Sequence, residues 1–343
     1  MRKIRLGKTG LMVTKTAFGV LPLQRTPMEE AVRILQRAYD AGINYYDTAN
    51  AYTDSEIKIG AALSGVRHDI VISTKTGATD RSTAEKHIDQ SLMQLKTDYI
   101  DLLQLHNIKE VPDPSDEQSA YAAAMDAVKA GKVLHVGVTS HRIDVAEQAV
   151  DSGLFETVQF PFSYIGSDRE IALAGRAKAA DVGFIAMKGL AGGMLTSARA
   201  CYCFIRQFDN VVPIWGMQHM WELEEFLALD REDPQMDDAS RAIIEKDRAE
   251  LLGSFCRSCG YCLPCPAGID IPQAARMERL LRRAPSAAFM SEEYRKMMHR
   301  IDDCIGCNHC KDHCPYELDT PNLLKYMLDD YDRFYAEYHG RSI

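Results

Sequence analysis

Short apolar, β-branched runs alternate with longer amphipathic stretches from Thr16 to about Gly216, and no long polar linker interrupts them. The short runs predict strands at Thr16–Gly19, Ile43–Asp47, Ile70–Lys75, Ile100–His106, Val133–Thr139, Thr157–Pro161, Gly183–Lys188 and Val211–Gly216. The clearest helical periods between them are Met28–Ala41, Thr83–Leu95, Tyr121–Ala130 and Asp144–Ser152. In the first of these, Ala31, Ile34, Leu35 and Ala38 share one face. Pro27 suits a helix start, and Gly42, Gly131 and Gly153 suit helix stops. Such alternation marks parallel βα units. Eight strands over about 230 residues fit a closed (β/α)8 TIM barrel better than an open sheet.

Beyond Leu229 the pattern changes. An acidic segment holding Asp230, Glu232, Asp233, Asp237 and Asp238 leads into a helical stretch, Ala239–Leu252, and then into a cysteine-rich region. That region contains a basic helical stretch around Arg276–Arg283, and the tail, Pro321–Tyr338, reads as a helix rich in Asp and Tyr. The expected organisation is a barrel over residues 1–230. A connector helix and a small α-rich domain follow over 231–343.

The 46% hydrophobic content of the 343 residues supports a large core. A net charge of -9, with no basic cluster, speaks against a nucleic-acid partner. No uninterrupted apolar run approaches a membrane span and none follows the N-terminal cations as an export leader would, so the expectation is a soluble, cytoplasmic protein with no membrane partner.

Eight of the ten cysteines fall between Cys256 and Cys314, in two runs that each close on Cys-Pro. The second run, Cys304, Cys307, Cys310 and Cys314, has the C-x2-C-x2-C-x3-C-P spacing of a bacterial ferredoxin half-site. Three close thiolates then hold three corners of an iron-sulfur cube, and the fourth cysteine of each run serves the other cube. Two [4Fe-4S] clusters are therefore expected. Cys256, Cys259, Cys262 and Cys314 would hold one, and Cys304, Cys307, Cys310 and Cys265 the other. The first run is one residue short before Cys265. Structural zinc more often uses two separated pairs, and disulfides need an oxidising compartment, so neither suits two runs of four. Cys201 and Cys203 lie outside both runs and read as small packing residues on a helix.

Three predicted strands end in an ionisable residue: Asp47, Lys75 and His106. In a barrel these ends converge at the C-terminal mouth, and Tyr52 lies five residues past Asp47. Singly, each has a plain explanation as a helix cap, a solvated strand end, a structural imidazole or packing. Jointly they make a proton-delivery site. A phenol of pKa about 10 is a poor donor at neutral pH, but an ammonium beside it lowers that value. Lys75 would do this, oriented by Asp47, while His106 hydrogen-bonds a carbonyl oxygen of the substrate.

With these residues in place, the chain resembles the aldo-keto reductases. The likeness rests on Arg5-Leu-Gly-Lys-Thr-Gly-Leu11, Asp47-Thr-Ala through Tyr52, Thr74-Lys75, Leu105-His106 and Gln159. Gly137-Val-Thr-Ser-His141, Ala186-Met-Lys-Gly-Leu-Ala-Gly-Gly193, Gly216-Met217 and Cys262-Leu-Pro-Cys-Pro-Ala-Gly are similar to the subgroup with a C-terminal ferredoxin-like domain. The resemblance implies a catalytic tetrad of Asp47, Tyr52, Lys75 and His106, with Tyr52 as proton donor. It implies that Thr139, Ser140 and Gln159 hold the nicotinamide amide of NADP(H) or NAD(H). The loop Gly189–Gly193, which includes Leu190 and Gly192, and the turn at Gly216, Met217 and Gln218 would approach the diphosphate and the adenosine end, where free backbone N–H groups suit anions. Lys188 is either a charge for a phosphate or a solvated strand-end lysine. Met187 stands where many members stack a tyrosine on nicotinamide, and Glu225-Phe226 where an adenosine-side Glu-Asn pair is usual. Glu222 aligns near the arginine that often binds a 2'-phosphate, which leaves the choice between the two cofactors open.

The leading expectation is an oxidoreductase acting on a small carbonyl or alcohol, with the clusters relaying electrons to or from a ferredoxin or another carrier protein. An electron-transfer or redox-sensing protein that uses the barrel as a partner-binding scaffold is the contrasting reading. A plain reductase with structural clusters is a third. All four tetrad residue types at the right strand ends favour an enzyme.

Overall fold

The protein is described by a computed structural model covering residues 1–251, 255–283 and 286–340. The chain divides into two compact units, Met1–Glu245 and Lys246–Ile343.

In the first unit eight parallel strands close into a barrel: β1 (Ala17–Gly19), β2 (Tyr45–Asp47), β3 (Val71–Thr76), β4 (Ile100–Leu105), β5 (Val133–Thr139), β6 (Thr157–Pro161), β7 (Gly183–Met187) and β8 (Val211–Gly216). Each strand pairs with the next in sequence, and β8 pairs with β1 to complete the ring. Every predicted strand forms, within a residue or two. The helices are α1 (Met28–Asp40), α2 (Ser55–Leu63), α3 (Arg81–Leu95), α4 (Ala120–Lys129), α5 (Ile143–Asp151), α6 (Asp168–Ala179), α7 (Ala198–Arg206) and α8 (Met220–Glu232). An antiparallel hairpin, Lys3–Arg5 with Met12–Thr14, precedes them. Its Ile4, Leu6 and Val13 join Ala17, Tyr45, Val71, Leu102, Ile185 and Val212 in one buried cluster, so the hairpin plugs the end of the barrel where the strands begin. The opposite end is left for chemistry.

The composition break at Leu229 precedes the division between units because the acidic segment stays bound to the barrel. Arg199 pairs with Glu232 at 2.6 Å and with Asp237 at 3.3 Å, Arg206 pairs with Asp233, and Ser240 and Ile244 are buried. The division therefore falls inside α9 (Asp238–Leu251). The expected last residue of this helix, Leu252, lies outside the described residues.

The second unit holds α10 (Ile271–Ala274), α11 (Met277–Arg283), α12 (Glu292–His299), α13 (His309–Asp312) and α14 (Thr320–Gly340). Its core gathers Ile271, Met277, Met298, Ile301, Leu324 and Tyr331, with Cys256, Cys262 and Cys265 packed against it. Arg282 makes two hydrogen bonds to Asp330, at 2.6 and 2.7 Å, tying α11 to α14. Among the described residues no helix is long and apolar enough to cross a membrane.

Candidate active site and cysteine centres

Parallel register carries Asp47, Lys75 and His106 to one end of the barrel. Asp47 pairs with Ser73 across β2 and β3, Lys75 pairs with Gln104 across β3 and β4, and the His106 N–H donates to Thr76 O at 2.8 Å just past β4. Lys75 Nζ donates to Asp47 Oδ1 and to Thr48 O, both at 2.6 Å. Asp47 Oδ2 accepts from Ser73 Oγ at 2.6 Å and from Gln104 Nε2 at 3.2 Å. Asp47 and Lys75 are 2% and 1% exposed, so the ion pair is locked inside the wall. A buried carboxylate that accepts from three donors is held in one orientation and fixes the ammonium in one place. Tyr52, half-buried on the loop after β2, sets its ring 5.3 Å from Lys75 Nζ and edge-on to His106, 5.7 Å between centroids. The four residues read as a tetrad from the sequence are thus together.

The electrostatic balance differs from the expectation. Lys75 does pull the Tyr52 phenol down, but burial pushes it up by more, aided by Asp47, and the net shift is upward. Desolvation outweighs one ammonium whose charge Asp47 already compensates. Tyr52 is accordingly a protonated acid at rest, and the lysine charge becomes decisive only when a phenolate forms. Burial, followed by Lys75, lowers the His106 pKa to about 4, so its imidazole is neutral at pH 7. A neutral imidazole offers one N–H to an oxygen without competing as an acid.

Of the residues expected at the nicotinamide, Gln159 is buried in the barrel, where its Oε1 accepts from Gln104 Nε2 at 2.7 Å. Thr139 and Ser140 are buried and engaged: Thr139 Oγ1 accepts from Asn107 N–H at 2.7 Å, and Ser140 Oγ donates to Ile108 O at 3.2 Å. Their hydroxyls brace the loop after His106. Past Met187, Lys188, Ala191, Gly192 and Gly193 take left-handed conformations, and Lys188 Nζ lies 3.4 Å from His141 Nδ1. A Cβ on Gly189 would meet the Trp215 ring at 2.6 Å, so glycine is required there. Gly216 ends β8, Met217 is fully buried and Glu225 is exposed on α8.

One expectation fails at the start of α8. The Gln218 and His219 N–H groups are not free for a diphosphate, because Glu222 Oε2 accepts both, at 2.6 and 2.9 Å. A capping carboxylate already supplies the anion that this helix end attracts.

The cysteines of the two runs lie close to one another. Cys259 feels the charges of Cys256 and Cys314, and Cys262 those of Cys256, Cys259 and Cys310. Cys310 feels Cys304 and Cys307, and a cavity is lined by Cys262 and Cys265 together with those three. Each run thus approaches the last cysteine of the other. Burial, with neighbouring thiolates, pushes the Cys262 thiol up to about 12. Thiols in closely spaced runs are the ligands an iron-sulfur cluster takes, so the chemistry of the donor set fits the group, while among the described residues no three of these side chains already converge as metal ligands. Left-handed turns at Ser258, Gly260, Gly306 and Asn308 wrap each run, and the Ser258 N–H donates to Cys256 Sγ at 3.3 Å. Cys201 and Cys203 are buried on α7, where Cys203 Sγ donates to Gln235 O at 3.4 Å.

Residues 10–201 match the aldo/keto reductase family, and residues 255–319 match a 4Fe-4S dicluster domain. The chain belongs to the aldo/keto reductase family. Curated relatives include the L-galactose dehydrogenase of Arabidopsis thaliana, 31% identical over 210 residues (56% of this chain, 66% of that protein). An uncharacterized oxidoreductase, YqkF, of Bacillus subtilis (strain 168) is 33% identical over 177 residues (48% and 56%). This aldo/keto reductase chain therefore spans about half to two thirds of their length. Among solved structures, a holo-form aldo-keto reductase from Bacillus halodurans superposes with a TM-score of 0.63 at 23% identity, covering 72% of this chain and 96% of that one. One from Klebsiella pneumoniae in complex with NADPH gives 0.61 at 20% identity (71% and 94%).

Three residues of this aldo/keto reductase site escaped the sequence reading. Ser73 and Gln104 hydrogen-bond Asp47 from within strands, and Glu56 on α2 accepts from Thr74 Oγ1 at 2.5 Å while its Oε2 is buried without a partner. Burial raises the Glu56 pKa. Alternation along β3 and β4 was the available signal, since Ser73 shares a face with Lys75 and Gln104 with His106.

Proposed function

We propose that this protein is an oxidoreductase that interconverts a small carbonyl compound and its alcohol, with Tyr52 as proton donor and acceptor. Bound NADP(H) or NAD(H) would supply or take up the hydride. The protonated Tyr52 hydroxyl gives its proton to the carbonyl oxygen, and the neutral His106 N–H holds that oxygen in place. Lys75, fixed by Asp47, stabilises the phenolate left behind. The reverse transfers oxidise the alcohol. Gln159 would orient the nicotinamide amide, and the loop from Lys188 to Gly192 would approach the diphosphate. The observation that carries this reading is the Lys75 ammonium, held at 2.6 Å by Asp47 and 5.3 Å from the Tyr52 ring.

Two [4Fe-4S] clusters would add one-electron carriage. Cys256, Cys259, Cys262 and Cys314 would hold one, and Cys265, Cys304, Cys307 and Cys310 the other. The spacing of the two runs and the approach of Cys314 to Cys259 support the first set, and the approach of Cys265 to Cys304, Cys307 and Cys310 around one cavity supports the second. Two clusters in one unit suit single-electron exchange with a ferredoxin or a similar carrier protein.

Tyr52→Phe should lower carbonyl reduction about 10²–10⁴-fold while leaving visible cluster absorption unchanged; undiminished turnover would remove Tyr52 from the chemistry. For the relay, NADPH and then NADH are added anaerobically to cluster-loaded protein. Bleaching of the thiolate-to-iron absorption without any other carrier is expected. Bleaching by dithionite alone would separate the clusters from the barrel chemistry.

A further inference from the structure

Gln104 lies between the proton site and the nicotinamide site and touches both. Its Nε2 donates to Asp47 Oδ2 at 3.2 Å and to Gln159 Oε1 at 2.7 Å, and all three side chains are at least 98% buried. The orientation of both amides follows from the carboxylate. The Asp47 carboxylate accepts from Lys75 and Ser73, and Gln104 turns its NH2 toward it as a third donor. That NH2 then also faces Gln159, which must present its oxygen. Gln159 is left with its amide nitrogen, a two-proton donor, for a ligand.

The reach from Gln104 to Gln159 crosses a strand. Gln104 stands on β4 and Gln159 on β6, with β5 between them. The residue of β5 in register with Gln104 is Gly137. A Cβ there would lie 2.0 Å from Thr157 Oγ1 and 3.2 Å from Leu102 Cδ1. The missing side chain is what opens the passage over β5.

We propose that Gln104 is a positioning residue that couples the tetrad to the nicotinamide subsite, setting Gln159 to donate N–H to a carbonyl acceptor such as the carboxamide oxygen of nicotinamide. This rests on the cofactor reading given above. Without Gln104, Gln159 is free to turn over and to present oxygen to oxygen. Asp47 also loses one of its three donors, so the same link carries strain at the cofactor back to the ion pair that holds Lys75.

The test is a double-mutant cycle on the dissociation constants of NADPH and NADH, read by quenching of protein fluorescence in the full chain with its clusters. Gln104→Met, close in volume, should weaken binding about tenfold, the worth of roughly one hydrogen bond. In a Gln159→Met background the same change should have almost no effect. A purely structural role for Gln104 would give losses that add, and additive losses would overturn the coupling while leaving the cofactor reading intact. Wild-type protein that binds neither nicotinamide would overturn that reading and the coupling with it. If Gln104→Met does not fold, Gln104→Glu keeps the shape and places an acceptor against Gln159 Oε1. It should weaken binding only where Gln159 is present.

Discussion

Burial and the Lys75 ammonium hold His106 near a pKa of about 4, against 6.5 in the unfolded chain. Between those values the unfolded chain binds more protons than the folded one, so the stability this residue contributes is complete above about pH 6.5 and is lost as pH falls toward 4. His106→Asn, which cannot titrate, should flatten that decline. Comparing urea midpoints at pH 7 and pH 5 checks it: the wild type should lose more than the variant, and equal losses would show that His106 is not buried in neutral form. Asp47, Lys75 and His106 were legible because strand ends in a barrel converge. Gln104 and Glu56 were not, because a polar residue inside a strand or on a helix face reads as solvent-facing until the partner strand or helix is known.

At the scale of elements, α1 and α3 announce themselves by apolar periodicity, while the start of α3 at Arg81 is set by Asp80, whose side chain accepts from the Thr83 N–H. By contrast, α2 was overlooked since its buried face carries Ser55, Glu56 and Lys58, with Lys58 Nζ donating to Leu23 O at 2.7 Å. Polar residues on the inward face erase the pattern that marks an amphipathic helix. The N-terminal hairpin was missed for another reason, since three-residue strands are too short to show alternation. Where α2 crosses α3, a Cβ on Gly60 would meet Gln94 O at 2.3 Å and the Leu95 carbonyl carbon at 2.9 Å. Both are backbone atoms and cannot swing aside. Gly60→Ala should therefore destabilise the barrel by about 1–3 kcal/mol, against the usual gain from replacing a helical glycine. Chemical denaturation measures this, and a stabilised variant would mean that the helices separate at little cost.

For the whole molecule, the change in composition at Leu229 lies ahead of the division after Glu245, because ion pairs from α7 hold the acidic segment to the barrel. With the ligand sets proposed above, Cys314→Ser should reduce bound iron from about eight atoms per chain to about four or fewer. Quantifying iron and sulfide after anaerobic reconstitution decides it, and an unchanged count would place Cys314 outside the clusters. The crossing of the two cysteine runs has a consequence for biosynthesis. With those ligand sets each cube would take three thiols from one stretch of chain and one from a stretch roughly fifty residues away, and closing a loop of that length costs conformational entropy that only the finished cube would offset. A nascent chain that has not yet emerged past Cys310 can complete neither cube on this plan, and one that stops short of Cys314 can complete only the cube of Cys265, Cys304, Cys307 and Cys310. Loading of the other cube then waits for Cys314, and the last cysteine made acts as the latch that lets its iron be retained.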